Sequence, residues 1–181
     1  MGLNTPQFRI SFPSLFQPKL NELSGKMEYS CVALFPKGAD LTELKNAASA
    51  AAVEKWGADK IPAGLKSPFR NQGEKDYGGY VADAVFMTLK SGNKPGIVDA
   101  NVKAIIDPSK VYAGVWAIAH VNAYAYDNKG NRGVAFGLEH LQIVKDDEPL
   151  DGRVKVDAAF KPIAGAGTGA AAGAPAASLF G

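Results

Sequence analysis

The sequence predicts a mainly β protein, a small barrel with one amphipathic helix and long loops. Three observations point there: residues 111–126 alternate between small and ring-bearing side chains, residues 26–35 alternate again, and one helical period occupies 40–56. Alternation at period two sends successive side chains to opposite faces of a strand. Recurrence at three and four residues puts them on one stripe of a helix.

The elements follow in order. Met1 to Lys19 carries apolar Ile10, Phe12 and Phe16 with Pro13 and Pro18; proline cannot donate to a ladder, so this reads as an edge strand or an extended entry segment. Asn21 to Gly25 is a turn. In Lys26 to Phe35, residues Met27, Tyr29, Cys31, Ala33 and Phe35 should face the core, with Lys26, Glu28 and Ser30 facing away. Pro36 to Ala39 breaks this strand. Asp40 should then cap a helix, with Glu43 three residues on. Leu41, Leu44, Ala48, Ala51, Ala52 and Trp56 form its apolar stripe, with Gly57 at the C-terminal cap. Trp56 reads as a core anchor.

Ala58 to Gly79 is long, polar and irregular, and loops of this length are functional or disordered. Around it Lys60, Lys66, Arg70 and Lys75 interleave with Phe69, Tyr77 and Tyr80. That mixture suits a single-stranded nucleic acid, phosphates to the cations and bases to the rings. The competing reading is a solvated loop whose rings tuck back onto the barrel. Tyr80 to Leu89 is expected as a strand, Ile97 to Ile106 as a shorter extended piece, and Asp107 to Ser109 as a turn.

The hairpin Val111 to Val144 is the strongest signal. Val111, Ala113, Val115, Ala117, Ala119, Val121, Ala123 and Ala125 make a smooth face, expected inside the barrel. Tyr112, Trp116, Ile118, His120, Asn122, Tyr124 and Tyr126 make the other. Asp127 to Gly133 is a polar turn bearing Lys129 and Arg132, and Val134 to Leu138 returns. Rings with polar tips can stand half exposed and stack flat partners, or pack beneath another layer. A strand over 111–126 would be roughly 50 Å long. It must bend, at Gly114 or near Asn122, and a bulge would swap its faces. His120 reads as a hydrogen-bonded structural residue. Lys145 to Gly152 is an acidic turn, Val154 to Phe160 a last short strand, and 162–181 a flexible Gly/Ala-rich tail unable to bury enough surface to order itself.

Composition sets the outer bounds. The 181 residues suit one domain. Residues 1–145 hold 17 Lys+Arg against 13 Asp+Glu, whereas 146–161 hold three against five, so a mildly basic body precedes an acidic stretch. A lone cysteine, Cys31, forms no intrachain disulfide and suits a reducing compartment. No run approaches the ~20 apolar residues that span a bilayer. Two histidines with one cysteine lack zinc-ligand spacing, and no nucleophile elbow, phosphate-binding loop or metalloprotease motif occurs. The expectation is a cytoplasmic protein that is not an enzyme, with no cofactor and no metal.

Several segments together resemble a known family: Ser11 to Lys19, Gly25 to Lys37, Asp40 to Ala47, Lys55 to Gly57, Phe69 to Lys75, Val111 to Trp116 and Asn122 to Gln142. The family comprises tailed-bacteriophage proteins first catalogued as a domain of unknown function and later recognised as OB-fold single-stranded DNA-binding proteins. The similarity runs in order through nearly all of residues 8–160. It implies a five-stranded OB-fold-like barrel over 1–161, binding displaced strands during phage replication, recombination or repair in the host cytoplasm. OB barrels take oligonucleotides along one sheet face between loops. On chemistry, Lys26, Lys37, Arg70, Lys75, Lys129 and Arg132 are the expected phosphate contacts, and Tyr77, Tyr112, Trp116, Tyr124 and Tyr126 the expected stacking rings. Replication or recombination proteins are candidate partners through the tail. The tail departs from the acidic pattern of many such proteins, with no acid after Asp157 and a Ser178-Leu179-Phe180-Gly181 end. Two other readings are a structural or protein-interaction barrel of the virion and a strand-annealing recombination protein. Oligomeric state stays open.

Overall fold

The computed structural model describes residues 2–150 with 160, 162 and 163. The expected last strand and Gly/Ala-rich tail lie almost wholly outside the described residues. Among the described residues there are eight strands: β1 (Leu3–Asn4), β2 (Phe8–Asn21), β3 (Lys26–Leu34), β4 (Arg70–Asn71), β5 (Val85–Ser91), β6 (Gly96–Val98), β7 (Trp116–Asn128) and β8 (Asn131–Lys145). One helix, α1 (Thr42–Trp56), accompanies them, with short 3-10 turns at Gln72–Glu74 and Pro108–Lys110.

Five strands close a ring in the order β7, β2, β3, β5, β8 and back to β7. It is not a regular barrel, because two of its joints are thin. β2 meets β7 only at Phe8↔Ala117 and Arg9↔Trp116, and β5 meets β8, in parallel, only at Leu89↔Phe136 and Lys90↔Gly137. The long β7–β8 and β2–β3 hairpins carry most of the pairing, and β1, β4 and β6 extend the edges.

Period-two alternation fills the interior. Phe8 and Ile10 of β2, Cys31 and Ala33 of β3, Met87 and Leu89 of β5, and Ala117, Ala119 and Val121 of β7 are all buried in one cluster. α1 packs on β7 and β8 and adds Leu44, Ala48, Ala51 and Ala52 to that cluster. Small side chains on both helix and strand let the two backbones approach closely. Trp56 is half-buried against the core, and its ring faces Lys55 Nζ at 5.9 Å.

Several expectations are corrected by tertiary context. β7 begins after Gly114, whose φ of +119° makes the bend foreseen there. The irregularities in this hairpin fall between Trp116 and Ala117 and between His120 and Val121, and the extra residues lie on β8, so the faces of β7 never swap. Met27 was expected in the core but is exposed, because the β2–β3 hairpin outruns the ring. Tyr80 precedes β5 rather than starting it, and the extended piece at 97–106 shortens to β6 with a turn at Asp99–Lys103. Pro13 and Pro18 sit inside β2, at its two register shifts and beyond its two-residue joint with β7. The helix starts at Thr42, so Asp40 is not its N-cap; its carboxylate accepts from Thr42 N and Oγ1 instead, at 3.0 and 2.6 Å.

Candidate nucleic-acid interface

Residues directly opposite one another in a sheet share a face. On the outward face this rule produces one transverse row. Arg9 stands opposite Trp116 on one side and Leu34 on the other, Leu34 opposite Phe86, and Phe86 opposite Arg70. Trp116, Arg9, Leu34, Phe86 and Arg70 therefore cross five strands in line. A pocket of about 270 Å³ opens on this row, with Arg9, Leu34, Lys37, Gln72, Gly79, Val81 and Trp116 among its walls.

A chain of aromatic rings climbs from the same row into solvent. The Arg70 guanidinium lies 5.1 Å from the Phe86 ring centroid. Phe86 is 6.0 Å from Tyr80, Tyr80 is 5.3 Å from Tyr77, and Tyr77 is 5.0 Å from Phe12. Exposure rises along the series, from 4% at Phe86 to 50% at Tyr77 and 54% at Phe12. Tyr80 anchors the chain by donating its hydroxyl to Ser11 Oγ at 2.9 Å, and burial pushes its phenol pKa upward. The loop bearing Tyr77 and Tyr80 is held by Gln72, which is 2% exposed. Its Nε2 donates to Phe35 O and Val85 O, and its Oε1 accepts from Val81 N.

The acidic segment after β8 folds back over the Trp116 end of the row. Trp116 Nε1 donates to Asp147 Oδ2 at 2.8 Å, and Tyr112 donates to Asp146 Oδ1 at 2.8 Å. Arg9 donates through Nη2 to Glu148 O at 2.6 Å and through Nε to Gly114 O at 3.0 Å. Lys145 Nζ lies 5.1 Å from the Trp116 ring centroid. The indole hydrogen bond, then the Glu148 amide, with Arg9 and Lys145 nearby, hold the Asp147 carboxyl below its usual range.

The sequence-derived candidates thus divide into two groups. Trp116, Tyr112, Arg70, Lys37 and Tyr77 gather on the row and its margins, and Lys75 closes the 3-10 turn behind Arg70. Tyr124, Tyr126, Lys129 and Arg132 lie on the β7–β8 hairpin, and Lys26 starts β3. Burial first, then the Glu28 carboxylate of β3 and Tyr126, raise the pKa of Tyr124. Arg70 pairs with Glu74 at 2.8 Å and Arg132 with Asp127 at 2.9 Å. Among the described residues, no ion pair engages Lys26, Lys37, Lys75 or Lys129. Phe69 turns inward against Phe136, and His120 is structural, 2.7 Å from Asn4 Oδ1 and 3.3 Å from Glu139.

Five residues of this region escaped the sequence reading: Arg9, Phe12, Leu34, Gln72 and Phe86. Only Phe12 carried a signal, since Pro13 beside it breaks the ladder that would have sent the ring inward.

Comparison with known proteins agrees with this architecture. The single-stranded DNA-binding protein of bacteriophage Enc34, solved in complex with ssDNA, superposes with a TM-score of 0.67 at 19% identity, covering 82% of this chain and 88% of that one. Gp2.5, a single-stranded DNA-binding protein encoded by bacteriophage T7, superposes at 0.60 with 15% identity, over 82% and 88% of the two chains. Putative protein p50 of Acyrthosiphon pisum secondary endosymbiont phage 1 is 26% identical over 163 residues, 84% of this chain and 88% of that protein. The family model described as Enterobacter phage Enc34, ssDNA-binding protein, matches residues 1–169, and the chain belongs to that family.

Proposed function

We propose that this protein binds single-stranded DNA without sequence preference and coats it during phage replication, recombination or repair in the host cytoplasm. The observation that carries this reading is the outward row with its climbing rings, where half-exposed Trp116, Tyr77 and Phe12 stand near exposed Lys37 and Arg70. Bases stack on rings whatever their identity, and phosphates follow the cations, so such a face tolerates any sequence. Lys37, Arg70 and Lys75 serve the backbone beside Tyr77, Tyr112 and Trp116. Tyr124, Tyr126, Lys129, Arg132 and Lys26 continue the path along the hairpins. The carboxylates on Arg70 and Arg132 are no obstacle: exposed ion pairs contribute only about 0–1 kcal/mol, so a phosphate can replace Glu74 or Asp127 at little cost. Residues 1–161 form the binding unit. Its action is holding rather than bond-making, and it calls for no catalytic group, cofactor or metal. Among the described residues, no helix is long and apolar enough to cross a membrane.

Titration with poly-dT while following tryptophan fluorescence tests the proposal. Quenching is expected, with an affinity that falls as salt rises because bound phosphates release counterions. An unchanged signal into high micromolar concentrations would overturn it and favour a protein-binding barrel.

A further inference from the structure

Phe12 occupies a position where the strand pattern calls for a core residue. Phe8 and Ile10, four and two residues before it on β2, are fully buried. Continued pairing would set Phe12 opposite Cys31, itself 1% exposed. The register instead slips between Ser11↔Val32 and Ser14↔Ser30, so Phe12 and Pro13 together stand against Cys31. Phe12 takes a φ of +46°, which side chains of this bulk rarely adopt. The ring leaves the core, and Leu15, 2% exposed, is the next residue of β2 to enter it. Bulges re-aim side chains, and backbone held in such a region marks a place where the surrounding structure enforces an unfavourable conformation. The result is an unpolarised ring, half in water, with its plane 75° from that of Tyr77.

From this geometry we infer that Phe12 and Tyr77 form a base-stacking subsite for single-stranded nucleic acid, presented by the β2 bulge. The inference deepens the single-stranded DNA reading and rests on it. An edge-to-face pair leaves ring surface open for a base and meets that base with a second wall. Phenylalanine has no donor or acceptor with which to read a base edge, so the Phe12 wall accepts every base. Tyr80 and Phe86 stand behind Tyr77 and keep it upright, while Arg70 at the foot of the series lies within the same contact chain.

The test uses Phe12→Asn and Phe12→Trp in the full chain, with a labelled oligo-dT as probe. Asparagine adopts the left-handed region readily, so it removes the ring while leaving the bulge unstrained. The expected result is roughly 5- to 150-fold weaker binding, the range for one stacked base. Melting temperature should be unchanged or higher, and the slope of log K against log salt unchanged, because no charge is lost. Phe12→Trp should bind like the parent chain. Tyr77→Ser, in the exposed loop, should reproduce the loss independently. Parental affinity in Phe12→Asn, or a loss accompanied by a lower melting temperature, would overturn the subsite, as would a changed oligomeric state with affinity intact. Failure of the parent chain itself to bind oligo-dT would remove the wider reading, and the subsite with it.

Discussion

Asp147→Asn separates the charge of the acidic segment from its shape. Asparagine keeps one oxygen that can accept from Trp116 Nε1, so the 2.8 Å contact survives and only the local Glu148 amide bond to the other oxygen is given up, while the negative charge beside Arg9 and Lys145 disappears. A phosphate brought to about 6 Å of that carboxylate is repelled by about 0.7 kcal/mol in a water-like dielectric and about 3 kcal/mol at an effective value of 20. Asp147 is substantially exposed, and the screening length at physiological salt is about 8 Å, so the lower end applies. The substitution should therefore tighten oligo-dT binding by about 3- to 10-fold at low salt, with the gain shrinking as salt rises. Fluorescence anisotropy at several salt concentrations measures it. The pH dependence has a definite sign. A carboxyl whose folded pKa is depressed contributes stability above its unfolded pKa, and that contribution is lost as pH falls through the folded value. The parent chain and the variant should therefore converge only below the ordinary carboxylate range, once pH has fallen through the depressed folded value of Asp147. Equal or weaker binding by Asp147→Asn at low salt, with unchanged thermal stability, would show that the acidic segment and the strand do not share a path.

Two further outcomes follow from the interior. Gln72→Leu leaves Phe35 O and Val81 N without this partner in a buried place, at a cost of roughly 2–5 kcal/mol; the melting temperature read by circular dichroism should drop by roughly 5–20 °C, and a near-neutral result would mean that the Tyr77–Tyr80 loop is held elsewhere. Burial pushes the Cys31 thiol up to about 12, so a thiol reagent at mildly alkaline pH should label the native protein only as fast as it unfolds, and rapid stoichiometric labelling would contradict a closed core.

Much of the architecture was legible before any coordinates. The alternation of β7, the burial of Cys31 and the helical stripe at Leu44, Ala48, Ala51 and Ala52 are consequences of local geometry, which repeats every two or 3.6 residues. That residues 111–126 must bend was readable from their length, with Gly114 one of two places expected. The partners of the rings were not. Trp116 meets an acidic residue 31 positions later, and Tyr112 one 34 positions later; no periodicity encodes a contact at that range.

By itself, then, the sequence determined which side chains alternate, where the helix lies and that the rings of the central strand share one of its faces. Only the tertiary structure decided which rings stand open. Ring closure through two thin joints lined Trp116, Arg9, Leu34, Phe86 and Arg70 into a row, the chain after β8 folded onto its Trp116 end, and one extra residue in β2 turned Phe12 outward. The physical reason is that the facing of a side chain follows from its own strand, whereas its exposure depends on whatever distant segment the fold lays across it.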